Sequence, residues 1–193
     1  MEGMDPIQKI WWGGKYVHQC LWEVMWDNPK PIINQVHGFC FAAGMGVVSL
    51  SDLCICSEDA LFGYPNVRSG GPYLAPISPY ILGMKKAKEL MFTGNTIDAQ
   101  EAWRLGLVNK VFADASFRLD AFAYAKKLAN GPTQALGRMK KNLNAGLEQS
   151  LTASLALEAQ HMIASGGTDE SREAIRAFME KRPPRFDQYE PER

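Results

Sequence analysis

From about Pro6 to Asp27 the apolar residues Ile10, Trp11, Val17, Leu21, Val24, Met25 and Trp26 fall at spacings that fit one helix face, with Gly13-Gly14 interrupting the pattern. Asn28-Pro29-Lys30-Pro31 ends it, because each proline removes a backbone donor and biases its predecessor toward extended geometry. Ile32-Ile33-Asn34-Gln35-Val36 then predicts a short strand that stops at His37-Gly38, and a turn of small residues follows. Phe41 to Gly46 leads into the apolar run Val47 to Leu50, and Leu53 to Cys56 has the length and branching of a second buried strand. The local order is strand, glycine-rich turn, short helix, strand.

Ser57 to Ala60 is polar and turn-like, and the stretch from Gly63 to Pro79 is too punctuated by glycine and proline for long regular structure. It predicts a shaped loop. Beyond Leu82 the period becomes helical. Lys85 to Phe92 fits a helix stopped by Gly94, and Asp98-Ala99-Gln100-Glu101 has the form of a capping box that opens another, closed by Gly106. Val108 to Phe112 predicts a last short strand, followed by helices at about 116–129, 132–146, 149–165 and 169–180. Arg182-Pro183-Pro184-Arg185 ends regular structure, and no repeat or low-complexity segment interrupts the series.

With 193 residues, 46% of them hydrophobic and 22% charged, the chain can bury one substantial core but is short for two full domains. Its 21 basic and 21 acidic side chains cancel, which argues against nucleic acid as a partner. No stretch approaches the roughly 18 apolar residues of a membrane span, and the first ten residues have no signal-peptide pattern. A soluble intracellular protein with no membrane partner is expected. Cys20, Cys40, Cys54 and Cys56 are too few for a disulfide scaffold and read as reduced thiols. Cys54 and Cys56, two apart in a strand, share one face and fit buried core positions better than a metal site.

The turn after the first strand carries the chemistry. A strand that runs into small residues at a helix start leaves backbone N–H groups unblocked by side chains, and such groups can hydrogen-bond an oxygen on which negative charge develops. A tight turn that needs small residues only for packing would look the same in isolation.

The neighbouring blocks bear on that choice. Lys30-Pro31-Ile32-Ile33, His37-Gly38-Phe39-Cys40-Phe41-Ala42-Ala43-Gly44-Met45-Gly46, Ser51-Asp52-Leu53 and Asp59-Ala60-Leu61-Phe62-Gly63-Tyr64-Pro65 resemble, in order and spacing, the signature of the crotonase superfamily, the enoyl-CoA hydratase/isomerase family. Phe92-Thr93-Gly94, Gly106-Leu107-Val108-Asn109-Lys110-Val111 and Glu180-Lys181-Arg182-Pro183-Pro184-Arg185-Phe186 are similar to its later blocks, so the likeness covers about residues 29 to 186. The resemblance implies an α/β fold, a crotonase-like spiral of ββα units, with a partial spiral core over 1–112 and a C-terminal helical trimerisation region over 113–193. It implies an acyl-CoA substrate, no cofactor beyond the coenzyme A of that substrate, a homotrimer or hexamer, and a place in the cytoplasm, or in the mitochondrial matrix of a eukaryote. A lyase or isomerase of fatty-acid metabolism is the activity class.

By residue matching, the oxyanion donor is the amide of Ala43, followed by Gly44. Phe39, Phe41 and Ala42 match the pantetheine channel. Tyr64, Gly70, Gly71 and Tyr73 are substrate-binding candidates on the following loop, with Phe178 and Lys181 near the C-terminus as candidates for stacking and phosphate pairing. The chain departs from the pattern where hydratases carry two glutamates: here the matching positions are Gly46 and Asn66, and neither can be a general base. Asn66 can still orient a water or a carbonyl, or serve the turn. Tyr64 and Tyr73 can protonate an enolate or simply pack. The resemblance also implies early strands, and a loop carrying a second oxyanion donor, that this sequence does not show. A catalytically impaired homologue that acts as an oligomerisation partner is therefore the alternative. A hydrolase built on His37 with Ser49 or Ser51 lacks any nucleophile-elbow pattern, and His37, His18 and His161 read as structural.

Overall fold

The computed structural model describes residues 3–70 and 77–186, with Ile10, Trp11 and residues 16–22 in backbone only. The chain forms two compact units, Met1–Asn28 with Ile32–Asp114, and Pro29–Pro31 with Ala115–Arg193.

The first unit opens with α1 (Pro6–Trp26). Its start is a capping box: Asp5 accepts from the Gln8 amide at 2.8 Å, while Gln8 accepts from the Asp5 amide at 3.2 Å. The helix runs through Gly13-Gly14, where the sequence pattern breaks. Two interior glycines cost about 1 kcal/mol each, too little to stop a well-capped helix of this length.

Next come β1 (Ile33–Val36), β2 (Phe39–Phe41), α2 (Ala43–Leu50), β3 (Leu53–Ser57), β4 (Leu61–Gly63) and a 3-10 turn at Pro65–Ser69. α3 (Ser78–Leu82), α4 (Met84–Thr93), β5 (Thr96–Asp98), α5 (Ala99–Arg104) and β6 (Lys110–Phe112) complete the unit. β1, β3 and β6 form one parallel sheet in the order β1-β3-β6. A second sheet has the order β2-β4-β5, with β2 parallel and β5 antiparallel to β4. β3 thus stacks beside β1 and β4 beside β2, so the second ββ turn repeats the first, and the α/β spiral expected of the chain is present. β1 and β2 are each at the edge of their sheet.

Central β3 explains its own composition. A strand flanked on both sides in a parallel sheet is covered on both faces, and Cys54, Ile55, Cys56 and Ser57 are all buried. The thiols stay free. Two side chains fix the first turn of the spiral: Asp52 accepts from the Ile32 amide at 2.7 Å, and Asn34 donates to the Val47 carbonyl at 3.0 Å. The Asp98 capping box is only half formed, since Asp98 accepts from the Glu101 amide but the Glu101 carboxylate is held by Arg104.

The second unit contains all four helices predicted beyond residue 115: α6 (Phe117–Ala129), α7 (Thr133–Glu148), α8 (Leu151–Ser165) and α9 (Asp169–Met179). Ser150 and Thr168 cap α8 and α9 with their hydroxyls. α7 has no cap of its own; the buried carboxylate of Glu170 accepts from Thr133 Oγ1 and from the amides of Gln134 and Ala135. Glu173, 1% exposed, takes two bonds from Arg182 and one from the amide of Arg185. In α7, Gly137 admits the Pro29 carbonyl so closely that a Cβ would overlap it, which is how Pro29–Pro31 joins this unit. Among the described residues no helix is long and apolar enough to cross a membrane.

Candidate functional site

The chain leaves β2 and enters α2 through Ala42, whose φ of 52° and ψ of −108° lie outside the regions favoured by residues with a Cβ. Such a backbone persists only where its surroundings over-determine it. Phe41 is in register with Gly63, the Ala42 amide donates to the Gly63 carbonyl at 3.2 Å, and the Gly46 amide returns to the Ala42 carbonyl at 3.2 Å. Gly44, by contrast, is helical and serves packing: a Cβ there would lie 3.2 Å from Cys40 Sγ.

This turn sets which amides are open. Ala42 offers no side-chain cap, and its own N–H is engaged by Gly63. The next two amides, of Ala43 and Gly44, occupy the first turn of α2 and have no acceptor within the helix. Both lie at the positive end of the helix dipole. The arrangement suits an oxygen that gains negative charge.

Alongside the turn lies an open cleft of about 350 Å³, lined by Asn34, His37, Phe39, Phe41 and Gly44 among others. Phe39 is 76% exposed, with its ring centroid 5.3 Å from that of Phe41. The structure therefore brings Phe39, Phe41 and Gly44 to one cleft, with Ala42 and Ala43 in the connecting backbone. The cleft floor is inert: burial pushes the Cys40 thiol up to about 11. On the turn into β4, Asp59 bonds Ser57 and the Gly38 amide, and these bonds lower its pKa.

β4 carries the chain into the other predicted residues. Asn66 lies in the 3-10 turn, its side-chain oxygen shielded from solvent, and Gly70 ends that turn with φ 73°. Tyr64 is corrected by the structure. A substrate-binding candidate with packing as its alternative, it is 2% exposed, belongs to the hydrophobic core, and shares a hydrogen bond with Ser78 at 2.8 Å. Burial pushes its phenol above the ordinary 10, so it is a poor proton donor for solvent-side chemistry. Gly71 and Tyr73 lie outside the described residues. Phe178 and Lys181 belong to the second unit, with Phe178 82% exposed on α9 and Lys181 just beyond it at φ 54°.

Three residues play parts that sequence reasoning did not give them. Gly63 must be glycine because a Cβ would sit 2.8 Å from the Asn95 carbonyl on the neighbouring strand side, and its own carbonyl holds Ala42. Ser49 and Ser78 surround Tyr64, and nothing local in the sequence links them. Neither Ser49 nor Ser51 is an available nucleophile: Ser49 is buried and Ser51 Oγ donates to the Val48 carbonyl. Among the described residues no three His, Cys, Asp or Glu side chains are grouped to hold a metal ion.

Comparison with known proteins follows the same lines. The family described as enoyl-CoA hydratase/isomerase matches residues 13–189. A probable enoyl-CoA hydratase of Rhodobacter capsulatus is 33% identical over 175 residues, covering 88% of this chain and 67% of that protein. A 4-chlorobenzoyl coenzyme A dehalogenase of an Arthrobacter species is 31% identical over 159 residues, covering 79% of this chain and 56% of the dehalogenase. The chain thus spans a little over half to two thirds of the length of these curated relatives. The crystal structure of an enoyl-CoA hydratase from Bacillus anthracis superimposes with a TM-score of 0.88 at 27% identity, covering 97% of this chain and 73% of that one.

Proposed function

Because the chain belongs to the enoyl-CoA hydratase/isomerase family, we propose that it binds an acyl-CoA thioester and holds the thioester carbonyl oxygen on the amide of Ala43. Loss of a proton beside a thioester moves charge onto that oxygen, so a fixed amide aimed there favours the enolate over the ground state. The observation that carries the reading is the engagement of the Ala42 amide by Gly63, which leaves Ala43 as the first open donor at the head of α2. Gly44 lets the acyl group approach the backbone, and Phe39, Phe41 and Ala42 meet the pantetheine arm. On the second unit, taken by itself, the exposed Phe178 ring and the Lys181 cation suit stacking and phosphate pairing with a nucleotide.

What the site does after binding depends on a proton acceptor. Gly46 has no side chain and Asn66 is a neutral amide, so two-carboxylate hydration is not the reaction proposed. Asn66 orients the acyl carbonyl or a water by hydrogen bonding. The named relatives include both a hydratase and a dehalogenase, so likeness by itself leaves the reaction type open.

A second reading, a weakly active or inactive homologue that joins a homotrimer or hexamer, has its own support. Leu151, Ile163 and Met179 on α8 and α9 are largely exposed, and apolar helix faces of this kind suit subunit contacts. Titration calorimetry with acetyl-CoA and crotonyl-CoA, with the enoyl absorbance followed in the same samples, separates the two. Binding supports the acyl-CoA reading, turnover with binding excludes the inactive homologue, and no heat with either ester removes the proposed function.

A further inference from the structure

Three hydroxyls meet in the core of the first unit. Tyr64 Oη lies 2.8 Å from Ser78 Oγ, and Ser78 Oγ lies 3.4 Å from Ser49 Oγ. All three residues are buried, and Met45, Val48, Phe62 and Leu82 belong to the same core. Hydroxyls in such a place persist only as a mutually satisfied set, because each left alone would carry its desolvation cost.

What each hydroxyl is attached to gives the set its meaning. Ser49 sits in the last turn of α2, the helix that begins with Ala43. Tyr64 immediately precedes Pro65 and the 3-10 turn that holds Asn66. Ser78 is the first residue of α3. We propose that Tyr64, Ser78 and Ser49 form a positioning node that fixes the head of α2 and the Asn66 turn in one relative geometry around a bound acyl group. Tyr64 thus acts through Ala43 and Asn66 and never touches the substrate.

Packing alone does not require this. Phenylalanine at position 64 would fill the same space, but apolar contacts tolerate small rotations that a directional hydrogen bond resists. α2 is short and stiff, about 12 Å long, so a tilt at Ser49 is transmitted to the Ala43 amide. An oxyanion donor displaced by a few tenths of an ångström loses much of its effect while binding of the rest of the ligand survives.

The inference rests on the acyl-CoA reading, and the test separates the two. Cinnamoyl-CoA has a conjugated thioester whose absorption moves to longer wavelength when its carbonyl oxygen accepts hydrogen bonds, so one titration gives both Kd and carbonyl polarisation. Y64F and S78A are each expected to cut the red shift to less than half while Kd changes by no more than about threefold, and the double variant to be no worse than the worse single. A full red shift in Y64F overturns the node and leaves the acyl-CoA reading standing. Absence of cinnamoyl-CoA binding by the unaltered protein overturns both. Should Y64F lose its thermal transition, S49A, which removes the Ser49 hydroxyl from both Ser78 and Tyr64, carries the test: a reduced red shift supports the node and an unchanged one overturns it.

Discussion

The amide of Ala42 donates to the carbonyl of Gly63 across 3.2 Å, tying the strained entry of α2 to the end of β4. A residue with a Cβ is held at φ 52° here by that bond, by the Gly46 amide on its carbonyl and by the pairing of Phe41 with Gly63. Ala42→Val places a β-branched side chain in the same backbone and is expected to lower stability by about 2 kcal/mol, whereas Ala42→Gly should stay within about 1 kcal/mol of the parent. Urea unfolding midpoints decide it; equal midpoints for the valine and glycine variants would show that Ala42 carries no strain.

Glu173 gives the second unit a defined acid response. Arg182 and the Arg185 amide hold its carboxyl at about 2, below the ordinary 4.5. A carboxylate with a depressed folded pKa contributes stability that is complete above the unfolded value and fades as pH falls toward the folded one. The stability advantage of the parent over Glu173→Gln should therefore be full at pH 6 and shrink steadily from about pH 4.5 to about pH 2. Thermal unfolding of both proteins across that range measures it, and a constant difference would contradict the assignment.

The thiols of Cys40, Cys54 and Cys56 should be silent. Burial raises all three, Cys40 to about 11, Cys56 to about 12 and Cys54 further still, with neighbouring Cys56 and Cys40 adding to the rise at Cys54. At pH 8 a thiol near 11 is about one part in a thousand thiolate. Iodoacetamide followed by peptide mass spectrometry is expected to label these positions in the unfolded chain and leave them unmodified in the folded one.

Carboxylates at the two deficient positions should bring proton transfer. Gly46→Glu combined with Asn66→Glu is expected to speed loss of crotonyl-CoA absorbance at least about tenfold over the unaltered protein, the low end of what a placed acid or base contributes. Each substitution alone should yield less than the pair. No gain from the double variant, with crotonyl-CoA still bound, would mean that positions 46 and 66 do not face the reacting carbon.

Long-period features were legible in the sequence and short-range pairings were not. The helices from Lys85 onward and β3 declare themselves through periodicity and branching. β2, β4 and β5 have three residues each, too few to display an alternation, and Phe39 to Phe41 read as part of a turn because glycine and alanine surround them. Ala42 was invisible as the positive-φ position because local preference points to glycine, while the constraint comes from Gly63 on another strand. Tyr64 was left between substrate binding and packing for a similar reason: its partners Ser78 and Ser49 lie 14 and 15 residues away and only the fold brings them together. The small-residue turn at Ala42-Ala43-Gly44 was legible because its requirement is local.

The seat that Gly137 leaves for the Pro29 carbonyl has a consequence for how the chain is made. Pro29–Pro31 emerges from the ribosome roughly a hundred residues before α7, so this strap, synthesised early, must wait for the helical unit to be made and capture it. A polypeptide begun at Ala115 would have every helix of that unit but an empty slot along α7. Its boundary is thus drawn in space, not along the sequence.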